Sequence, residues 1–241
     1  MQEIKGVIFD YGGTIDTNGD HWAEVIWEQY LAAETNISKE LFREAYVHGE
    51  RTLAKMPIIE PCDTFKILLE KKIEIQAEYL REKGYPLSDA QKERISADCY
   101  QRVLSTLDTT RNVVSTLSKR YPMVLVTNFY GNMPVVLNEF CLDGYFKEIV
   151  ESSVVGLRKP DPALFALGVE ALGLPAEEIL VIGDSYRKDI HPSSTLGCKT
   201  VWLKNICWEE EPIIEGHAPT AIIDDITQLP GTIAGIISQE P

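Results

Sequence analysis

The chain is poor in positive charge: 23 Lys and Arg stand against 37 Asp and Glu, a formal net charge of −14 over 241 residues. A surface so biased repels phosphate backbones and anionic lipid, so neither nucleic acid nor membrane is an expected partner. It does not exclude a small anionic substrate, because a local cation, a metal ion or helix N-termini can reverse the field inside a cleft. Long apolar runs are also missing. No stretch approaches the ~20 apolar residues of a membrane helix, and the polar Met1–Lys5 leads into only a short apolar run, so no signal peptide is expected and the expected location is cytoplasmic. Cysteine is scarce. Cys62, Cys99, Cys141, Cys198 and Cys207 are odd in number and show no CxxC spacing, which reads as reduced thiols rather than a disulfide framework. With His21, His48, His191 and His217 they also show no zinc-ligand spacing. Internal repeats and low-complexity segments are absent.

What is present is an ordinary globular composition, 44% hydrophobic and 25% charged, in a chain long enough for one domain and a substantial insert. Short, nearly uninterrupted apolar runs recur at Ile4–Phe9, Met123–Val126, Ile149–Val155, Ile179–Ile182, Thr200–Leu203 and Ala221–Ile223. Such runs suit parallel strands buried on both faces. Helical patterns separate them from about residue 109 onward, which predicts a doubly wound, Rossmann-like parallel α/β sheet. Between the first strand and residue 108 the rhythm changes to four helical patterns without a strand. The first carries Trp22, Ile26 and Tyr30; the second follows Ser38; the third runs from Phe65 to a stop at Gly84; the fourth opens on the capping box Ser88-Asp89-Ala90-Gln91. The expected organisation is therefore a core of residues 1–17 and 109–241 with an all-helical cap, residues 18–108, over the C-terminal edge of the sheet, where open α/β sheets hold ligands. Trp22 and Trp27 read as packing residues of that cap.

Chemistry-bearing residues collect at the predicted strand ends. "VIFDYGGTID" supplies Asp10, "VLVTNF" Thr127 and Asn128, "GLRKPDP" Lys159, and "LVIGDSYRKDI" Asp184 and Asp189. Asp10, Asp184 and the carbonyl of Gly12 are oxygen ligands for a hard cation such as Mg²⁺. Asp10 is also placed as a nucleophile, Lys159 as the cation that screens carboxylate–phosphate repulsion, and Thr127 and Asn128 as donors to phosphoryl oxygens. Asp189 is expected to orient Lys159 or to ligate the metal through water. Taken singly, each has an ordinary alternative as a capping, turn or solvated residue; it is their joint occurrence at strand ends that points to a site. Asp224 and Asp225, with no such partner, read as a turn or helix start.

These four stretches resemble, in order, the signature motifs of the haloacid dehalogenase superfamily of hydrolases, and the helical insert is similar to that family's first-position cap. The resemblance implies that Asp10 forms an aspartyl intermediate, that Thr127 binds the transferring group, that Lys159 is the lysine of the third motif, and that Asp184 with Asp189 holds Mg²⁺. A small phosphorylated molecule is the implied substrate. Most phosphatases of the superfamily carry a second Asp two residues after the nucleophile as general acid/base; here that position is Gly12. Loss of such a group costs ~10² to 10⁴ in rate. Three readings remain open: a slow or specialised hydrolase with its acid/base drawn from elsewhere (Tyr11, Asp16, His21 and Lys55 are candidates); a phosphonate-cleaving enzyme using a cap lysine, with Lys55 nominated and Lys39, Lys66, Lys71, Lys72, Lys83 and Lys92 read as exposed helix faces; or a non-catalytic phosphate-binding protein. Carbon–halogen cleavage, a fourth, fits the retained Asp184 less well.

Overall fold

The computed structural model describes residues 3–209 and 212–238; Met1 and Gln2, part of the polar N-terminal stretch, lie outside it. Six parallel strands form one sheet: β1 (Gly6–Phe9), β2 (Met123–Thr127), β3 (Glu148–Glu151), β4 (Ile179–Gly183), β5 (Lys199–Leu203) and β6 (Ala221–Ile223), in the order β3-β2-β1-β4-β5-β6. Alternation along β1 divides the apolar core. Val7 and Phe9 join the cluster that continues into the cap, while Ile8 joins Val124, Val126 and Val181 beneath Leu164 and Phe165 on the other face. The chain leaves β1 for β2 and β3 on one side and returns to β4 on the other. The strand order thus reverses between β1 and β4, and the crevice at their C-terminal ends is the natural ligand position.

The apolar run 149–155 is only half strand. The β2–β3 ladder ends at the pair Thr127–Glu151, and with no further neighbour to bond, Ser152–Val155 turns into one helical turn closed by Gly156 at φ 73°. Val154 there is 70% exposed.

The helical insert between β1 and β2, the segment expected to form the cap, comprises α1 (Trp22–Ala32), α2 (Lys39–Lys55), α3 (Phe65–Glu82) and the first half of α4 (Asp89–Ser118). Each start is capped: the side chains of His21, Ser38, Thr64 and Ser88 accept the first free backbone N–H groups, and Gln91 completes the expected capping box. α4 is one continuous helix of 30 residues, about 45 Å long. It contains no Gly or Pro, and its buried stripe Ile95, Cys99, Val103 and Leu107 runs on into Thr110, Val113, Val114 and Leu117. The boundary expected between residues 108 and 109 therefore falls inside a helix rather than in a loop. The other crossing, residues 17–21, is a tight turn with Asn18 at φ 56° and Gly19 at φ 92°. Asp20 in this turn pairs with Arg102 of α4 at 2.8 Å, which fastens the two crossings together.

Candidate active site

Asp10 is the first residue past β1, and its N–H continues the ladder onto Ile182 at 3.0 Å, so the strand pair fixes its carboxylate at the crevice. The chain then turns back at once. Gly13 has φ 99°, and a Cβ on it would run into the carboxylate of Asp184; this glycine is required by both its conformation and the close approach of the acid. Its N–H donates to Asp16 Oδ1 at 2.7 Å. The turn also delivers Thr14, whose hydroxyl donates to Asp10 Oδ2 at 3.1 Å and lies 3.4 Å from Asp184 Oδ1.

Lys159, 4% exposed, inserts its ammonium between Asp10 Oδ1 at 2.5 Å and Asp189 Oδ1 at 2.6 Å. Asn128 holds the lysine backbone on both sides, accepting from its N–H at 2.9 Å and donating to its carbonyl at 3.2 Å. The Asn128 amide is thereby committed to positioning Lys159. Asp189 sits in a single π-helical turn, Tyr186–Ile190, and its second oxygen accepts the Ser185 N–H at 3.1 Å. With one oxygen on lysine and one on backbone, Asp189 is placed to orient Lys159. Asp184, after β4, is half-buried and makes no salt bridge among the described residues, Lys188 and Lys159 acting on it only at longer range. Thr127, the last residue of β2, is buried and lines the same cleft of about 120 Å³.

The electrostatics follow from burial and proximity. Burial pushes the Asp10 carboxyl up to about 6, with Lys159 pulling it down and Asp189 pushing it up. Burial, then Asp189 and Asp10, drives Asp184 well above the carboxylate range. Burial opposes the charge of Lys159, but Asp10 and Asp189 outweigh it and the ammonium is held. Oxygens of Asp10, Asp184 and Asp189 lie within 4.8 Å of one another, and among the described residues no donor reaches the Gly12 carbonyl. A hard-oxygen donor set with one carboxylate lacking a salt bridge fits a divalent ion. The other acidic group among the described residues, Glu60, Cys62 and Asp63, already spends Asp63 on Lys71 at 2.6 Å and on the Glu60 N–H.

The Gly12 position is open to a side chain. Its φ is not in the left-handed region, and a Cβ there would meet only Trp22, at 3.9 Å. Trp22 packs against Phe65 and the core as expected and also lines the cleft, its indole N–H held by Asp16 Oδ2 at 2.9 Å; Trp27 packs on Phe42 as expected. Of the four acid/base candidates only His21 lines the cleft. Its Nδ1 accepts the Ala23 N–H at 3.1 Å and burial lowers its pKa to about 3, so the ring is neutral and Nε2 carries the hydrogen. Asp16 is fully buried beneath the turn, Tyr11 is buried with its hydroxyl unpartnered, and Lys55 is exposed in an outer groove beside Met56 and Arg158.

The lysine that does reach the cleft is Lys72, one of those read as an exposed helix face. It is 6% exposed, 2.7 Å from Glu50 Oε1, while the Tyr130 hydroxyl donates to Glu50 Oε2 at 3.0 Å. Burial disfavours its charge, but Glu50 and Tyr130 more than offset this and its pKa is raised. The apolar face of α3 concealed it: Lys72 sits four residues after Leu68 and four before Gln76, both buried. Sequence reasoning also missed Thr14, whose only signal was its place in the Gly-Gly-Thr turn.

The sequence model of the haloacid dehalogenase-like hydrolases matches residues 4–191, and a related HAD-like hydrolase model matches residues 156–229. The chain is 34% identical over 113 residues to a phosphoglycolate phosphatase of Pseudomonas fluorescens, covering 46% of this chain and 41% of that protein. It is 35% identical over 63 residues to a glyceraldehyde 3-phosphate phosphatase of Pyrococcus abyssi, covering 26% of each. The chain thus spans less than half the length of either curated relative. In three dimensions it is similar to the magnesium-bound HAD hydrolase YfnB of Bacillus subtilis, with a TM-score of 0.58 at 18% identity over 96% of this chain and 99% of that one. The matched sequence and the parallel sheet agree, with Asp10, Thr127 and Asp184 at strand ends and Lys159 in the loop beyond the turn 152–155, and the chain belongs to the haloacid dehalogenase-like hydrolase family.

Proposed function

We propose that the protein is a Mg²⁺-dependent hydrolase of a small phosphorylated molecule, working through an aspartyl intermediate at Asp10. The observation that carries this reading is the juxtaposition of a lysine-braced Asp10 with Asp184, an acid without a salt bridge among the described residues. Four acids (Asp10, Glu50, Asp184, Asp189) and four bases (Lys72, Arg158, Lys159, Lys188) line the cleft. A divalent ion leaves an excess of two positive charges, which a phosphate monoester dianion balances. Asp10, the Gly12 carbonyl and Asp184 would hold the metal, with Asp189 reaching it only through water; when bound, Mg²⁺ supplies Lewis-acid neutralisation of phosphate charge.

The chain's own residues do the rest. Lys159 keeps Asp10 ionised as a nucleophile and holds phosphoryl oxygens that Thr127 also reaches. The Asp10 oxygen forms a bond to phosphorus as the bond to the leaving oxygen breaks, and water then cleaves the aspartyl phosphate. No acid at position 12 protonates the leaving oxygen, so alkyl esters are expected to turn over slowly, and acyl phosphates, whose leaving group needs little protonation, faster. The relatives named above as phosphatases of small phosphate esters support a phosphorus substrate. The Schiff-base alternative is disfavoured because Lys55 lies outside the cleft and Lys72 is held as an ammonium. The indole wall at Gly12 favours, as a second reading, a phosphate-binding protein with little turnover.

The test is a Mg²⁺-dependent screen over acyl phosphates, phosphate esters, phosphonates and haloacids. Release of phosphate from the first two classes, abolished in Asp10→Asn, upholds the hydrolase. Phosphate binding without turnover on any class upholds the binding protein.

A further inference from the structure

The wall opposite Asp10 is built by three elements. Lys72 comes from α3, Glu50 from α2 and Tyr130 from the loop after β2. Their contacts form a closed chain, ammonium to carboxylate at 2.7 Å and hydroxyl to carboxylate at 3.0 Å, with the ammonium 5.5 Å from the Tyr130 ring and 6.0 Å from the Trp22 ring. A buried ion pair is a weak source of stability, since desolvation offsets most of its attraction. Placed on a cleft wall, it offers a donor and an acceptor side by side with no net charge. Lys72 has three N–H donors and Glu50 has lone pairs on both oxygens, so neither is exhausted by the other.

We propose that this pair selects among leaving groups by charge, admitting a neutral, hydroxylated one: among phosphate monoesters, the class it admits is that of a polyol or hydroxyaldehyde. A hydroxyl satisfies both partners, accepting from Lys72 and donating to Glu50. A carboxylate loses to Glu50 what it gains from Lys72, and an ammonium the reverse, so neither is drawn to the pair, and either breaks the charge balance that metal and phosphate reach together. This inference rests on the hydrolase reading for its reaction and on the wall's geometry for its selectivity.

An isosteric pair of esters tests it: 2-hydroxyethyl phosphate against 2-phosphoglycolate, read as the ratio of kcat/KM within each protein. The wild type is expected to favour the hydroxyl ester by about tenfold or more. Glu50→Gln, which leaves Lys72 uncompensated, should move the ratio about tenfold toward the carboxylate. Lys72→Met leaves Glu50 buried without its partner and risks misfolding, so Lys72→Met/Glu50→Gln, which removes both charges, is made beside it; its ratio should fall toward one with the melting temperature retained. A wild-type preference for phosphoglycolate, or a ratio unchanged in the folded variants, overturns the inference and leaves the pair a structural one. If the wild type turns over neither ester nor acetyl phosphate, the hydrolase reading fails separately. Calorimetry with the same two esters then decides: tighter binding of 2-hydroxyethyl phosphate upholds the selectivity and tighter binding of phosphoglycolate overturns it.

Discussion

The two adjacent glycines of the turn after β1 have opposite freedoms. Gly12 accepts a Cβ in ordinary contact, so Gly12→Asp is expected to fold, to present a carboxyl toward the Trp22 N–H, and to raise Mg²⁺-dependent hydrolysis of a simple phosphate ester by ~10-fold or more; a steady-state assay at matched melting temperature checks this. Gly13 accepts none: Gly13→Ala combines a positive φ with a collision against Asp184, and calorimetry should show Mg²⁺ binding lost. Asp16 carries a third residue-scale prediction. Burial, partly offset by the Gly13 and Trp22 N–H groups, pushes its carboxyl up to about 7, against ~3.9 for an ordinary Asp. The folded protein therefore binds this proton more tightly than the unfolded chain. The resulting stability is complete below about pH 4 and is lost as pH rises through 7. Melting temperatures taken with saturating Mg²⁺, to keep Asp10 and Asp184 in one state, should fall between pH 5 and 8 in the wild type and fall less in Asp16→Asn.

Among the elements, α4 most changes the picture of the cap. An inserted domain invites the image of two flexible linkers, yet one crossing is helix interior and the other, residues 17–20, is largely buried and pinned by Asp20 to Arg102. Limited proteolysis should release no cap fragment from the wild type. Thr109→Pro, at an exposed position of α4, should cost roughly 3 kcal/mol and create a cleavage site there, visible as paired fragments on a gel. The continuity was legible in the sequence, since no Gly or Pro interrupts residues 89–118 and the apolar spacing never lapses. It was obscured by the α/β rhythm, which assigns one half of the helix to each domain. The end of β3 was not legible, because residues 149–155 are as β-branched beyond Glu151 as before it. What stops the strand is the lack of a neighbour, a fact of topology that local propensity does not carry.

For the molecule as a whole, the parallel α/β sheet and the polar residues at its strand ends could be read from the sequence because buried parallel strands and their terminal polar residues are local patterns. The cap wall could not. Lys72, Glu50, Tyr130 and Trp22 come from four separate segments, and nothing in their own neighbourhoods sets them apart from solvated or packing residues; only the folded cap brings them to one cleft. The core that joins Val7 and Phe9 of β1 to Ile26, Phe42 and Ile95 of the cap is a single cluster. Calorimetric unfolding is accordingly expected to show one transition rather than separate cap and core transitions.

The indole beside Gly12 also sets a clock. On the mechanism proposed, the first half of the reaction with an acyl phosphate would proceed without a proton donor, while the second would have to hydrolyse the Asp10 phosphoryl group with no base at position 12 to activate water. The protein should then dwell in its phosphorylated form, giving a rapid burst of product near one equivalent per chain, followed by a slow steady state. Quenched samples should carry the added phosphoryl mass on Asp10, and Gly12→Asp should shorten that dwell until the burst disappears.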